Sequence, residues 1–264
     1  MKWWRALPGL AAMVATRASA QIDYRNLDDD RPVAVEDAYP LERYAFEWLG
    51  AYRFARLGEG SQHLFVPELA YGIARGTELG IKAPFAATTL GGSTEAGLAG
   101  LRVFALYNLT SERPSLPGAA LRLDATAPLG SQGGRGAAVM VQALATRSFG
   151  RNRLHLNAGA ALVRADEPAA AEGIPSWRTG LAVDRTLIRS STLLLAAVTA
   201  EQETPGAQVG VAVAAGFRRQ MAPALVLDAG ASWTFRSSVP PRPALTVGLS
   251  HAFAIAGLMP GGAP

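Results

Sequence analysis

FVPELAYGIARGTELGIKAPF, residues 65 to 85, carries an apolar side chain at almost every odd position on either side of a short RGT break, while Glu68, Gly72, Glu78, Gly80 and Lys82 fill even positions. An apolar period of two marks a strand with one greasy and one polar face. The scheme returns about twelve times from residue 43 onward. Tyr44, Phe46, Trp48, Tyr52 and Phe54 oppose Glu47 and Arg53, and Leu101, Val103, Tyr107 and Leu109 oppose Arg102 and Asn108. Leu121 and Leu123 oppose Arg122 and Asp124; Leu154 and Leu156 oppose Arg153, His155 and Asn157. In the second half, Trp177, Leu181 and Val183 alternate with Arg178 and Asp184, Val211, Val213 and Phe217 with Gly210 and Arg218, Leu225, Leu227, Trp233 and Phe235 with Asp228, and Leu245, Val247, Leu249 and Phe253 with Thr246 and Ser250. STLLLAAVTAE, residues 191 to 201, is apolar on both parities and shows no face. A helical reading fails, since the spacing is two and glycine recurs inside the segments.

The breaks between segments carry topology. Counted from the first segment, odd-numbered connections include the longest, AATTLGGSTEAG (86 to 97) and RADEPAAAEGIPS (164 to 176), whereas even-numbered ones include the short ARGT, GRN and RSS. Only LTSERPSLPG is both even-numbered and fairly long. Long loops therefore gather at one end and short turns at the other, and an even strand count puts both termini at the short-turn end. Pro67 and Pro84 are expected near strand ends, where a missing ladder hydrogen bond costs least.

Composition narrows the class. Charged residues are 17% and hydrophobic ones 49% of the chain, yet after residue 20 no uncharged apolar run approaches the ~18 residues of a membrane helix. Residues 1–20 read as a secretory signal: Lys2 and Arg5 precede ALPGLAAMVA, and Ala18-Ser19-Ala20 precedes a cleavage point. The mature chain would carry a formal charge of +1 rather than +4, because Lys2, Arg5 and Arg17 leave with the signal. Nucleic acid is not an expected partner. The absence of cysteine removes a disulfide framework, thiolate catalysis and cysteine metal sites.

Alternation alone fits two opposite objects. A soluble barrel or sandwich hides its apolar parity inside, and a transmembrane barrel turns it to lipid around a polar lumen. The segments are about ten residues long, enough for a tilted strand to cross a bilayer. Aromatic residues gather toward segment ends, at Tyr44, Phe54, Phe85, Tyr107, Trp177, Phe217, Trp233, Phe235 and Phe253, as interfacial girdles require. The other parity is rich in glycine, alanine and serine with isolated charges of both signs, which covers a soluble exterior poorly but suits a narrow interior. The expected fold is all-β: a closed antiparallel transmembrane β-barrel of twelve strands over residues 43–255. Residues 256–264 form a C-terminal tail, and residues 21–42 are a periplasmic tail or a plug.

DDDRPVAVEDAYPLERYAFEWLGAYRF, the quoted 65–85 stretch, EAGLAGLRVFALYNL, ALRLDATAPLG, RLHLNAGAAL, ALVLDAGASWTF and the closing LTVGLSHAF together resemble a group of outer-membrane transport proteins named for the MetA pathway of phenol degradation. The likeness spans most of the mature chain and rests on strand-turn patterns rather than on a site. It implies a barrel in the outer membrane of a Gram-negative cell that passes small hydrophobic or aromatic molecules passively, and it brings no catalytic residue or cofactor. The closing strand resembles the outer-membrane assembly signal that ends in an aromatic, here Phe253, which would make the assembly machinery a partner alongside outer-membrane lipid. A structural or interaction barrel without an open pore is the first alternative; a lipid-modifying barrel enzyme is the second.

Chemistry-bearing residues are few. His63, expected in a loop, His155 and His251 are the histidines, too scattered for a metal site. Ser250 and His251 are adjacent in a strand and so point to opposite faces. GSQGGRG reads as a loop, lacking a strand-to-helix phosphate cradle. The sharper candidates are the inward charges. Glu78, Lys82, Arg102, Arg122, Asp124, His155, Arg178, Asp184, Arg218 and Asp228 are expected to line the lumen, either setting solute selectivity or forming a structural ion-pair network. If residues 21–42 form a plug, Asp28, Asp29, Asp30, Glu36 and Asp37 would meet luminal arginines; as a tail they would stay in water.

Overall fold

The computed structural model describes residues 22–133, 136–164, 175–203, 205–236 and 239–259. The signal expected over residues 1–20 lies outside them, as do residues 165–174 and 260–264. Among the described residues there are fourteen strands: β1 (Ala45–Leu57), β2 (Gly60–Ala74), β3 (Thr77–Lys82), β4 (Phe85–Leu90), β5 (Ser93–Leu98), β6 (Leu101–Thr110), β7 (Gly118–Ala127), β8 (Ala138–Phe149), β9 (Asn152–Arg164), β10 (Trp177–Leu187), β11 (Thr192–Gln202), β12 (Gly210–Ala222), β13 (Leu225–Arg236) and β14 (Val239–Ala254). Each pairs antiparallel with its neighbours, and β1 pairs with both β14 and β2, so the sheet closes. Closure leaves no open edge around the barrel, the condition for β-structure in a bilayer; β5 alone pairs on one side only, in the hairpin it forms with β4.

The barrel has twelve strands, because two of them are each broken once. Glu68↔Lys82 and Phe65↔Phe85 share one register, which makes β3 and β4 a single strand interrupted at Ala83-Pro84. β5 and β6 likewise continue one another through Ala99-Gly100, where Gly100 has φ +104 and the register slips. Pro67 stands in the middle of β2, not near its end. Its carbonyl accepts from Ala83 N at 3.0 Å, so the two prolines share one weak point in the ladder.

The stretch 86–97, expected as a long loop, is instead the β4–β5 hairpin, turning at Gly91 and Gly92 with φ +55 and +84. It escaped a strand reading because it lacks the alternating apolar face: Thr88, Thr89, Thr94 and Glu95 are polar on both sides, as befits a hairpin projecting past the apolar belt. Turns 75–76, 150–151, 188–191 and 223–224 are short and share the end at which both β1 begins and β14 finishes.

The two faces of the wall separate cleanly. Leu79, Val103, Leu156 and Leu181 point outward at 40%, 47%, 51% and 43% exposure, whereas Arg122, Asp124, Asp184, Arg218 and Asp228 point inward, at most 2% exposed. The greasy face is therefore not a core. Such a belt of exposed leucine, valine and aromatic side chains around a closed barrel is a liability in water and matches acyl chains. Leu181 lies near the middle of β10. Leu181→Arg is expected to cost about 2–4 kcal/mol of folding stability in lipid, measured as a lower folded fraction on gels that separate heat-unfolded from folded barrel; an unchanged fraction would contradict a lipid-facing position.

Candidate functional site

The interior is occupied by residues 22–42 of the chain. Ile22 N donates to Pro223 O at 3.0 Å at the short-turn end, and Tyr44 N donates to Gly72 O at 2.7 Å where the segment joins β1. Between them the chain turns back on itself: Asp28 bridges to Arg31, and Asp30 adopts φ +67. Neutral wall side chains hold its backbone. Asn157 accepts from Glu36 N and donates to Glu36 O, both at 2.8 Å; Thr146 Oγ1 accepts from Ala38 N at 3.1 Å, and Asn108 donates to Ala38 O at 2.7 Å. Glu78 Oε2 accepts from Leu41 N at 2.8 Å.

Small inner-face residues make the room. A Cβ at Gly72 would lie 2.0 Å from Glu42 O, and one at Gly230 would lie 2.5 Å from Pro32 O, so only glycine lets the segment approach the wall there. Apolar contacts complete the fit. Leu27, Val33 and Val35 pack on Ala182, Leu193 and Leu195, and Ala38 packs on Leu106, Ala120 and Leu144. These contacts explain why 191–201 is apolar on both parities: Leu194 faces outward, and Leu193 and Leu195 face the segment.

Charge is the third element. Arg122 Nη1 meets Glu36 at 2.7 Å, Arg178 meets Asp30 at 2.9 Å, Arg153 meets Asp37 at 3.3 Å, and Arg218 meets Asp28 at 2.5 Å. Arg31 reverses the pattern, donating from the segment to Asp228 of the wall at 3.4 Å. Asp29 stands among four cations from four strands, with Oδ1 3.3 Å from Arg178 and Oδ2 3.6 Å from Lys82, 3.7 Å from Arg102 and 3.8 Å from Arg122. Burial alone would raise its carboxyl, but Lys82, Arg178, Arg122 and Arg102 outweigh burial and hold it well below the ordinary carboxylate range. Within the wall, Lys82 also pairs with Glu68 at 3.1 Å and Arg122 with Asp124 at 2.9 Å.

All ten residues expected to face the lumen are buried inside or, for Arg178, mostly so: Glu78, Lys82, Arg102, Arg122, Asp124, His155, Asp184, Arg218 and Asp228 are at most 9% exposed. Glu47, Glu68 and Arg153 belong with them and were missed, although parity alone assigns them to the same face. Arg31 had no local signal, since an arginine in a non-periodic stretch reads as solvated. Of the aromatic set, Phe54, Phe85, Trp177, Trp233 and Phe235 stand toward the long-loop end and Tyr44, Tyr107, Phe217 and Phe253 toward the other, all partly or well exposed. His63 is not in a loop: it projects outward from β2, and its Nδ1 lies 2.7 Å from Tyr52 OH.

Thr146, His155 and Asp184 form a hydrogen-bonded chain, 3.0 Å and 2.8 Å long at its two links, that superficially matches a nucleophile, base and orienting acid. Its hydroxyl is committed to Ala38 N, Arg153 caps Asp184 at 2.7 Å, and Thr146 and His155 are 0% exposed. The chain braces the segment and leaves no approach for a substrate. Packing is incomplete elsewhere: a cavity of about 140 Å³ lies between segment and wall, lined by Asp28, Glu36, Glu47, Glu78, Leu106 and Arg218.

A closed transmembrane barrel of twelve strands, with its own N-terminal segment threaded into a charged lumen, is the class that fold and site define. No family profile matches the chain, and no curated protein does. Among solved structures it is similar to an outer membrane channel from Pseudomonas putida F1, at TM-score 0.62 and 13% identity over 82% of this chain and 98% of that one. It is also similar to the KdgM porin in complex with disordered oligogalacturonate, at 0.54 and 11% over 78% and 99%. The β domain of the Bordetella autotransporter BrkA follows at 0.51 and 14% over 79% and 99%. At these identities the likeness is one of fold, and the fold serves both channels and autotransporters.

Proposed function

We propose that this protein is a Gram-negative outer-membrane channel for passive passage of small hydrophobic or aromatic molecules, closed here by residues 22–42. The observation that carries the reading is how the segment is seated: ion pairs, side-chain hydrogen bonds and apolar packing hold it in the lumen, and it joins no strand ladder of the barrel. Withdrawal of the segment would leave a hydrated, charge-lined passage whose wall remains fully hydrogen-bonded. The resemblance to the MetA-pathway proteins supports an aromatic or hydrophobic solute, and the channel among the similar structures supports a path through the barrel.

A disulfide lock tests this reading in a chain that has no cysteine of its own. Ala38 of the segment and Ala120 of β7 share one buried cluster, so Ala38→Cys with Ala120→Cys pins the segment to the wall. In planar bilayers the oxidised protein is expected to show only baseline current, and reductant is expected to restore gating events. A barrel silent in both states would be the structural barrel without a pore.

A further inference from the structure

Resting on the channel reading, we infer that Asp29 is an internal surrogate for the solute, and that the lumen takes small organic monocarboxylates whose carboxylate replaces that of Asp29 among Lys82, Arg102, Arg122 and Arg178. Four cations converging from β3, β6, β7 and β10 on one carboxylate form an anion site built by the wall, not by the segment. The segment fills it badly. Asp29 Oδ2 is buried and has no hydrogen-bond partner among the described residues, its three cations standing 3.6–3.8 Å away, beyond charge-assisted hydrogen-bond length. A carboxylate on a freely moving molecule can close those gaps, whereas one tethered at a turn cannot.

The surroundings define the rest of the ligand. Glu68 on Lys82 and Asp124 on Arg122 offset two of the four positive charges, so the wall keeps a net positive charge for the carboxylate that replaces Asp29. Beside Asp29, a cavity of about 30 Å³ has three apolar side chains, Ala51, Leu64 and Val66, among charged ones that include Asp30, Arg31, Arg53, Glu68 and Lys82. Those three apolar side chains would lie against a hydrocarbon body once the turn that carries Asp29, Asp30 and Arg31 has left the lumen. Binding and opening are then one event: the ligand competes for the contacts that seat the turn of the segment, so it favours the withdrawn state by its differential affinity.

Benzoate and its uncharged counterpart benzamide, applied to the full-length protein in planar bilayers, test the inference. Benzoate is expected to raise open-state occupancy about tenfold over benzamide at equal concentration, a difference of roughly 1.4 kcal/mol. Asp29→Asn, its folding verified by heat-modifiable gel mobility, is expected to open without benzoate and to shift the reversal potential toward chloride. Arg178→Gln, which keeps Asp29 but removes one cation, is expected to weaken the benzoate response. Equal responses to benzoate and benzamide, or an Asp29→Asn channel with unchanged ion preference, would overturn the surrogate role while leaving a channel. Silence of a barrel lacking residues 21–38 would remove the channel reading itself.

Discussion

Deletion of residues 21–38 is expected to raise time-averaged conductance about a hundredfold, because a net preference of only about 3 kcal/mol for the seated segment keeps a two-state passage open less than about one per cent of the time. Several times that energy is present in gross terms, but most of it is offset. Each buried pair, such as Arg122 with Glu36 or Arg153 with Asp37, gives up hydration for its Coulomb attraction. Ordering the segment backbone costs about 1–2 kcal/mol per residue. The apolar packing of Val33 and Val35 on Leu193 and Leu195 therefore has a large share in the net balance. The truncated barrel keeps its strand ladder and should still show heat-modifiable mobility, with a lower midpoint because Leu193, Leu195 and Leu106 lose their cover. It should also favour anions, since Lys82, Arg102, Arg122, Arg178 and Arg218 all lose carboxylate contacts with residues 28–36. Conductance equal to that of the intact chain would mean that the segment does not obstruct the path.

How far the sequence discloses this arrangement follows from which forces act locally. Lipid imposes one rule on every outward position, so Leu79, Val103, Leu156 and Leu227 could be assigned a face by parity alone, and their inner neighbours Lys82, Arg102, Asn157 and Asp228 with them. That rule ends where lipid ends. Residues 86–97 pair as strands outside the belt and lost their signature. It also fails where the lumen is apolar: Phe104, Leu106, Leu193 and Leu195 face inward because the segment, not water, lies against them. The segment itself has no period, since its residues answer to several strands in turn, Asp28 to β12, Glu36 to β7 and β9, Asp37 to β9 and Leu41 to β3. Acidic composition could nominate partners for luminal arginines, but only the closed barrel decides which meet.

Arg122→Met should be the most destabilising single change in the lumen, about 3–5 kcal/mol, because it strands buried anions whose charge Arg122 now balances. The guanidinium is 1% exposed, holds Asp124 through Nε at 2.9 Å and Glu36 through Nη1 at 2.7 Å, and lies 3.9 Å from the centre of the Phe104 ring. Methionine can occupy the volume and keep the contact with Phe104, so the loss is electrostatic rather than a cavity. A second substitution separates the wall from the segment. Arg122→Met combined with Asp124→Leu removes the wall pair as a unit, and replacing a buried ion pair by apolar side chains is often neutral or stabilising. The double variant should recover much of the melting midpoint lost by Arg122→Met, yet Glu36 remains without Arg122, so gating should stay elevated. The non-additive part of the cycle reports the Arg122–Asp124 coupling. If Arg122→Met melts like the parent, water already solvates Asp124 and Glu36, and the lumen is a wet passage rather than a dry network.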